Sequence, residues 1–289
     1  MQQSVSTTVR APGAVAAPRA AFIASTGRTA TTLLAAVLDG LPGVTALHEG
    51  QEPDDGREPR LPLINLQNRQ AWGSLEAARA VVNDRRDDQA LASAARDSSL
   101  IVDVAFYNSP LIPALADAHP QASLMAIIRR CEGFVRSATI VEGEDRQPAG
   151  WPNPSKPLTD RERFIEFGRL RPESGTDAAD RWSGWSGIQR NIWLWTTVNE
   201  HLGDCAERLS AMTVLRFEDL RSTPERFWTD CLEAIRLDPS RHLEHCLRAA
   251  TRPVNARSAY QVGPLETWTD AERDLFDQLA RPLEERFYD

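Results

Sequence analysis

The chain has 289 residues, of which 42% are hydrophobic and 26% are charged, the proportions of an ordinary globular protein. Its formal net charge of −8 at pH 7 argues against broad nucleic-acid binding driven by phosphate neutralisation, although a local basic pocket stays open. No apolar run approaches the ~18 residues that a membrane-spanning helix needs.

The basic residues and the cysteines indicate the available chemistry and the compartment. Lys156 is the only lysine among 33 lysines and arginines, so a phosphate or sulfate site must rely on arginine, hydroxyl groups and backbone N–H groups. The four cysteines contain no CxxC pair and are too few for a disulfide scaffold. Their number predicts a protein of the reducing cytoplasm.

Residues 1–19 are predicted to be a disordered leader, because they consist mainly of Ala, Pro, Ser, Thr, Gln and Val. Pro12 and Pro18 would break the amphipathic helix of a transit peptide, and no continuous apolar segment indicates a secretion signal. We therefore expect residues 20–289 to fold, and length alone allows one large domain or two small ones.

Short apolar runs predict five buried strands, at residues 20–24, 44–47, 100–104, 123–128 and 212–216. Helical patterns are found after residue 31, near 74–83 and 87–97, at 109–118, from 131 to about 142, at 185–202 and over most of the chain after 220. The predicted loops are residues 50–70, 143–160 and 252–268. Strands that alternate with helices indicate an α/β fold, here a single domain with a central parallel sheet of about five strands flanked by helices.

The first candidate site is the turn between the first predicted strand and helix, residues 25–32. Such a turn directs backbone N–H groups and the positive end of the helix dipole at one point, which is typical of an anion site. Its threonine hydroxyls and Arg28 are further donors. The turn is not a Walker A motif, because that motif requires a lysine that is missing here. An ordinary helix N-cap is the alternative interpretation.

The second candidate site follows the fourth predicted strand. Arg129 stands at the carboxyl end of that strand, where open α/β sheets bind ligands, and Ser137 follows eight residues later in the next helix. Two donors in these positions suit a second phosphate. The alternative interpretation is that Arg129 is only a charged strand end and Ser137 only a solvent-exposed serine, with no ligand.

Together these elements resemble the sulfotransferase family that uses 3′-phosphoadenosine 5′-phosphosulfate (PAPS). The family's 5′-phosphosulfate loop reads roughly [RK]-S-G-T-T-x-L, and residues 28–34 read RTATTLL. Its 3′-phosphate element is a strand, an arginine and a serine eight residues later, as in Ile127, Ile128, Arg129 and Ser137. A late strand of the family ends in a Tyr-Glu-Asp-Leu-like tetrad, which Phe217 to Leu220 resembles. The resemblance covers roughly residues 20–265.

Several positions depart from the family pattern. Ala30 replaces the usual glycine, and an alanine with positive φ would be strained there. Phe217 replaces tyrosine and lacks its hydroxyl, and Arg130 and Cys131 replace the common Asp-Pro pair after the arginine.

The resemblance implies a P-loop-like fold and two sets of site residues. The residues implied to bind the donor are Arg28, Thr29, Ala30, Thr31, Thr32, Arg129, Ser137 and, in the C-terminal loop, Arg257. In a branch that includes tyrosyl-protein, carbohydrate and many bacterial sulfotransferases, a glutamate follows a segment like LDxHPxV. Residues 38–44 read LDGLPGV, so Glu49 is the implied catalytic base, with His48 as its rival and Arg28 on the leaving phosphate.

The implied activity is a cytoplasmic, bacterial-type transferase that moves a sulfuryl group from PAPS to a hydroxyl of a small-molecule acceptor, with no metal. A P-loop kinase for nucleotides or small molecules is an alternative that the missing lysine disfavours. A non-catalytic nucleotide-binding module of the same fold is another.

Other residues carry weaker signals. His242, His245 and Cys246 have spacing that suits a metal, although a helix face explains it as well. The tryptophans between 182 and 195 suit core packing or a ligand wall. Asp103 ends the third predicted strand, where it would contact an acceptor or cap the next segment.

Overall fold

The computed structural model of the chain describes residues 18–51, 59–64, 67–139, 151, 157, 168–251 and 260–289. Within these residues, five strands pair in parallel in the order β2-β3-β1-β4-β5. The strands are β1 (Arg19–Ser25), β2 (Val44–His48), β3 (Leu100–Val104), β4 (Ser123–Ile128) and β5 (Met212–Arg216). The prediction of an α/β fold with a five-stranded parallel sheet is confirmed.

Helices follow each strand. The α-helices are α1 (Thr31–Asp39), α2 (Asn68–Gly73), α3 (Leu75–Arg85), α4 (Asp88–Ala95), α5 (Ile112–Ala118), α6 (Cys131–Ala138), α7 (Asp177–Arg181), α8 (Gly187–Arg208), α9 (Asp219–Ser222), α10 (Pro224–Ala234), α11 (Pro239–Ala250), α12 (Asp270–Leu275) and α13 (Arg281–Tyr288). Short 3₁₀ turns occur at Phe106–Leu111, Trp182–Gly184 and Leu265–Thr267, and one π-helical turn at Phe276–Ala280. Across the described parts of the chain, we find no helix with the length and apolarity to cross a membrane.

The side chains of β1 alternate between two apolar layers because successive residues of a strand face opposite sides of the sheet. Phe22 and Ala24 belong to the layer that contains α3, α4, α5, α6 and α8. Ala21 and Ile23 belong to the layer that contains α1, α10 and α11. The sheet is therefore covered on both faces, as a parallel sheet requires.

The strand order determines where a ligand can bind. All strands point the same way, so their carboxyl ends share one edge of the sheet. From β1 the chain moves outward to β2, whereas from β3 it crosses to β4 on the other side of β1. The crevice beyond adjacent β1 and β4 is thus a topological switch point, the usual ligand position in open α/β sheets. The loop after β1 and Arg129 after β4 both lie there.

Some predicted boundaries were wrong. Helix α2 begins at Asn68, inside the segment 50–70 that was predicted to be loop, and ends at Gly73, just before the predicted helix. The helix expected to reach about residue 142 ends at Ala138, because Thr139 is extended and its hydroxyl accepts a hydrogen bond from Asn191. The tryptophan-rich helix runs longer than expected, from a capping box of Ser186 and Gln189 to Arg208. Most of residues 1–19 and of the predicted loop at 143–160 lies outside the described residues.

Candidate active site

The turn between β1 and α1 has an unusual backbone. Gly27, Arg28 and Ala30 have φ values of 80°, 58° and 58°, in the left-handed region. Ala30 therefore adopts the strained conformation that the sequence allowed for, in a position where glycine would be unstrained. It is the N-cap of α1 and makes no side-chain cap to the first-turn N–H groups. Because alanine has no polar side chain, position 30 supplies no hydrogen-bond acceptor for the N–H groups at the positive end of α1.

The two predicted anion-binding elements meet directly. Arg28 Nε donates a hydrogen bond to Ser137 Oγ at 3.1 Å, across 109 residues of sequence. Arg129 Nη1 donates to the backbone carbonyl of Arg28 at 2.6 Å. The β1–α1 turn, Arg129 before α6 and Ser137 near the end of α6 thus meet at one basic site.

Arg129 is held on several sides. Its Nη2 donates to the hydroxyl of Tyr260 at 3.1 Å, and its Cζ lies 4.5 Å from the centre of the Phe217 ring. The backbone carbonyl of Arg129 accepts a hydrogen bond from Trp195 Nε1 at 2.7 Å. Burial raises the pKa of Tyr260, but the hydrogen bond and charge of Arg129, together with the charges of Arg221 and Arg136, outweigh it, so the pKa is lowered overall.

The start of α6 is held by carboxylates from distant parts of the chain. The N–H of Arg130 donates to Glu218 at 3.0 Å, and the N–H of Cys131 donates to Glu284 at 2.6 Å. Tyr288 donates its hydroxyl to Glu218 at 2.6 Å. These carboxylates satisfy helix N–H groups and suit the positive end of the helix dipole. Glu218, part of the late tetrad, therefore positions the segment that carries Arg129.

His48 and Glu49 follow β2 at the same edge. His48 Nε2 is hydrogen-bonded to the hydroxyls of Thr31 and Thr32, at 3.1 and 3.3 Å, and lies 4.0 Å from Glu49 Oε1. Burial lowers the pKa of His48 to about 4, and the charge of Asp103 offsets only part of this effect. Glu49 has a φ of 55°, and its N–H donates to the carbonyl of Val104 at 3.1 Å. Strained backbone of this kind clusters at functional sites.

The partly buried, neutral His48 predicts a loss of stability in acid. The unfolded chain takes up this proton near pH 6.5 and the folded chain only near pH 4, so the free energy of unfolding falls as pH drops through that range. Burial lowers the pKa of His201 too, which adds in the same direction. Between pH 7 and pH 4.5, we expect the free energy of unfolding of His48→Gln to fall by about 2–3 kcal/mol less than that of wild type. Urea denaturation at both pH values measures this difference, and equal losses would contradict it.

One interpretation of the sequence is that Asp103 contacts an acceptor, but its side chain is enclosed by protein. It is 1% exposed and accepts a hydrogen bond from Arg86 Nε at 2.7 Å, while Arg86 itself is fully buried. Tyr107, also buried, has no hydrogen-bond partner for its hydroxyl among the described residues. Burial is the main cause that raises its pKa, and the charges of Glu49 and Asp103 add to it.

Three further predictions concern Thr29, Arg257 and the possible metal ligands around His245. The Thr29 hydroxyl is enclosed by protein and has no hydrogen-bond partner within the described segments. Arg257 lies outside the described residues. His245 packs against the end of α1 at Gly40. The described residues contain no group of three or more histidine, cysteine or carboxylate side chains that could hold a metal.

The tryptophans divide into two roles. The Trp182 ring contacts Trp151, Trp185 and Trp193 with ring centres 5.1–5.8 Å apart, and Arg171 lies over the rings of Trp151 and Trp182. Trp195 is separate and completely buried behind Arg129.

Sequence reasoning missed three contributors to the site: Tyr260, Tyr107 and the support that Trp195 gives to Arg129. Tyr260 lies in a predicted loop, where nothing in the sequence distinguished it. The two others follow apolar patterns that look like ordinary core.

Comparison with known proteins gives similarity of overall structure only. No family model matches the sequence, and no curated protein matches it significantly. Three solved sulfotransferase structures resemble the chain. One, from Alicyclobacillus acidocaldarius, has 12% identity and a TM-score of 0.48, with 94% of each chain covered. A domain from the curacin biosynthetic pathway has 14% identity and a TM-score of 0.47, covering 93% of this chain and 97% of the other. A domain from the Synechococcus PCC 7002 olefin synthase has 15% identity and a TM-score of 0.46, covering 100% and 99%. At these values the likeness assigns neither an activity nor a site residue to this chain.

Proposed function

We propose that the protein is a sulfotransferase that moves a sulfuryl group from PAPS to a hydroxyl of a small-molecule acceptor. The observation that carries the proposal is the contact of Arg28 with Ser137 at 3.1 Å, which unites the two anion-binding elements. The residues proposed to bind the donor are Arg28, Thr29, Ala30, Thr31, Thr32, Arg129, Ser137 and Arg257. The proposed setting is the cytoplasm, in keeping with four cysteines that are all free thiols.

The charge arrangement suits a donor with two separate anionic groups. Arg28 belongs to the turn before α1, where a 5′-phosphosulfate would meet backbone N–H groups and the positive end of the helix dipole. Arg129 stands after the neighbouring strand, close enough to donate to the carbonyl of Arg28. A second phosphate on the same nucleotide would meet Arg129. Arginine is suited to both tasks because its planar group binds phosphate oxygens with paired donors.

In the proposed reaction, the bond between sulfur and the bridging phosphate oxygen breaks as the acceptor oxygen bonds to sulfur. The electron pair of the broken bond stays on the phosphate, where Arg28 and the loop N–H groups stabilise the developing charge. The proton of the acceptor hydroxyl goes to Glu49. The products are a sulfate ester and 3′,5′-adenosine bisphosphate.

His48 is proposed to orient the threonine hydroxyls of the donor loop. Its Nε2 is hydrogen-bonded to Thr31 and Thr32. With a pKa lowered to about 4, the ring is neutral at pH 7. Glu49 is the preferred base because the resemblance to the glutamate-base branch implies it, and His48 is its rival.

The proposal predicts that 3′,5′-adenosine bisphosphate binds and that Arg129 recognises its 3′-phosphate. We expect the nucleotide to raise the melting temperature by mass action. Arg129→Ala should weaken its binding by about 1.5–3 kcal/mol, the value of a charge-assisted hydrogen bond. Adenosine 5′-phosphosulfate lacks the 3′-phosphate and should bind wild type and variant almost equally. Isothermal titration of both ligands measures the difference.

Two results would count against this assignment. No thermal shift at saturating bisphosphate, in a folded sample, would refute PAPS as the donor. Equal losses of affinity for both nucleotides in Arg129→Ala would make Arg129 a structural residue. Mass spectrometry of acceptors incubated with PAPS then separates an enzyme from a binding module, which would hold the bisphosphate without adding a sulfuryl group. Magnesium-dependent ATP hydrolysis would favour the kinase alternative.

A further inference from the structure

Gly133 lies in the first turn of α6, four residues after Arg129. A Cβ atom at this position would lie 2.9 Å from Arg129 Nε, 3.4 Å from Nη2 and 3.5 Å from Cζ. Gly133 is absent from the glycines with positive φ, so the backbone itself does not require glycine there. Glycine inside a helix is also unfavourable relative to alanine. The reason for this glycine is therefore the space that it leaves for the guanidinium.

The Arg129 guanidinium cannot move away from an added methyl group without losing its present contacts. The Phe217 ring lies 4.5 Å from its Cζ, and the carbonyl of Arg28 lies 2.6 Å from Nη1. The backbone of Arg129 is fixed by Trp195 through its carbonyl. A side chain at position 133 would thus displace the guanidinium from these contacts, because a flexible side chain yields more easily than a helix backbone.

We infer that Gly133 is a positioning residue that sets the preference of the site for a nucleotide with a 3′-phosphate. By leaving room over the first turn of α6, it lets the Arg129 guanidinium lie between Phe217 and the helix and donate toward the β1–α1 turn. This inference rests on the proposed function, since it assigns Arg129 to the 3′-phosphate.

The test compares Gly133→Ala with wild type by titration of two ligands, 3′,5′-adenosine bisphosphate and adenosine 5′-monophosphate. We expect about tenfold weaker binding of the bisphosphate, equivalent to one charge-assisted hydrogen bond, and a less than about twofold change for the monophosphate. The melting temperature without ligand should stay equal or rise, because alanine favours the helix. Gly73→Ala is the matched control: a Cβ atom added to this glycine of α2 would have no neighbouring atom within 4 Å, so neither affinity should change.

A double variant isolates the interaction with Arg129. In the Arg129→Ala background, Gly133→Ala should have no further effect on bisphosphate affinity, because there is no guanidinium to displace. If Gly133→Ala alone unfolds the protein and the double variant folds again, the result would also support a clash between the added methyl group and the Arg129 guanidinium. Unfolding that persists in the double variant would overturn the inference, and so would a loss of affinity that is equal for both ligands.

The inference and the proposed function fail in different ways. If wild type binds the bisphosphate no better than the monophosphate, the proposed function fails. If wild type prefers the bisphosphate and Gly133→Ala prefers it equally, only the role of Gly133 is wrong.

Discussion

Glu49→Gln is expected to slow sulfuryl transfer by about 10²–10⁴-fold, the usual effect of removing a general base. Glutamine keeps the shape of the side chain but cannot take the acceptor proton at neutral pH. Binding of 3′,5′-adenosine bisphosphate should remain nearly unchanged, since the donor does not take part in that proton transfer. Steady-state turnover with PAPS and titration of the bisphosphate measure the two effects separately.

The matched variant is His48→Asn, measured in parallel. If His48 only orients Thr31 and Thr32, its loss should weaken donor binding more than it slows turnover at saturating donor. Near-normal turnover in Glu49→Gln together with a large loss in His48→Asn would transfer the role of base to the histidine.

Arg86→Met is expected to lower the free energy of unfolding by about 3–5 kcal/mol, because it leaves Asp103 as a buried charge without its partner. Arg86 and Asp103 both have completely buried side chains. Arg86 Nη1 also donates to the carbonyl of Pro62 at 2.7 Å, so the substitution loosens the segment that follows β2. Urea denaturation at pH 7 measures the loss.

Two further variants show that burial causes the effect. Arg79→Met breaks an ion pair with Asp117 of similar length, 2.6 Å, whose side chains are about half exposed. Its expected cost is below about 1 kcal/mol. Replacing both buried partners, as Arg86→Met with Asp103→Leu, should restore most of the stability. A small loss in Arg86→Met alone would show that water reaches Asp103.

The strands and the sheet edge were predictable because they depend on local pattern. The apolar run around Phe22 alternates between two buried layers, and its length and flanking turn identify a strand without knowledge of its partners. The positions of Arg28 and Arg129 after parallel strands place them at one edge. That their side chains and carbonyls touch was not predictable, since it depends on the strand order.

Contacts between distant residues explain what the sequence could not show. Arg86 stands in the run Asp84 to Asp87, which looks like the solvent-exposed end of a helix, yet it is completely buried by its pairing with Asp103. Tyr260 approaches Arg129 from 131 residues away. Nothing in the sequence marks Gly133, and only the position of the neighbouring Arg129 guanidinium gives a reason for a glycine there.

The central position of β1 affects how the chain folds during synthesis. β1 is made first among the five described strands, but its neighbours β3 and β4 come much later, and β4 is complete roughly 100 residues after β1. At ribosomal speeds of about 5–20 residues per second, the nascent β1 waits about 5–20 s for both partners. During that time Phe22 and Ile23 stand on a strand with two unpaired edges, which is a site for aggregation or chaperone binding. Slower translation before residue 128 should therefore lower the yield of folded protein.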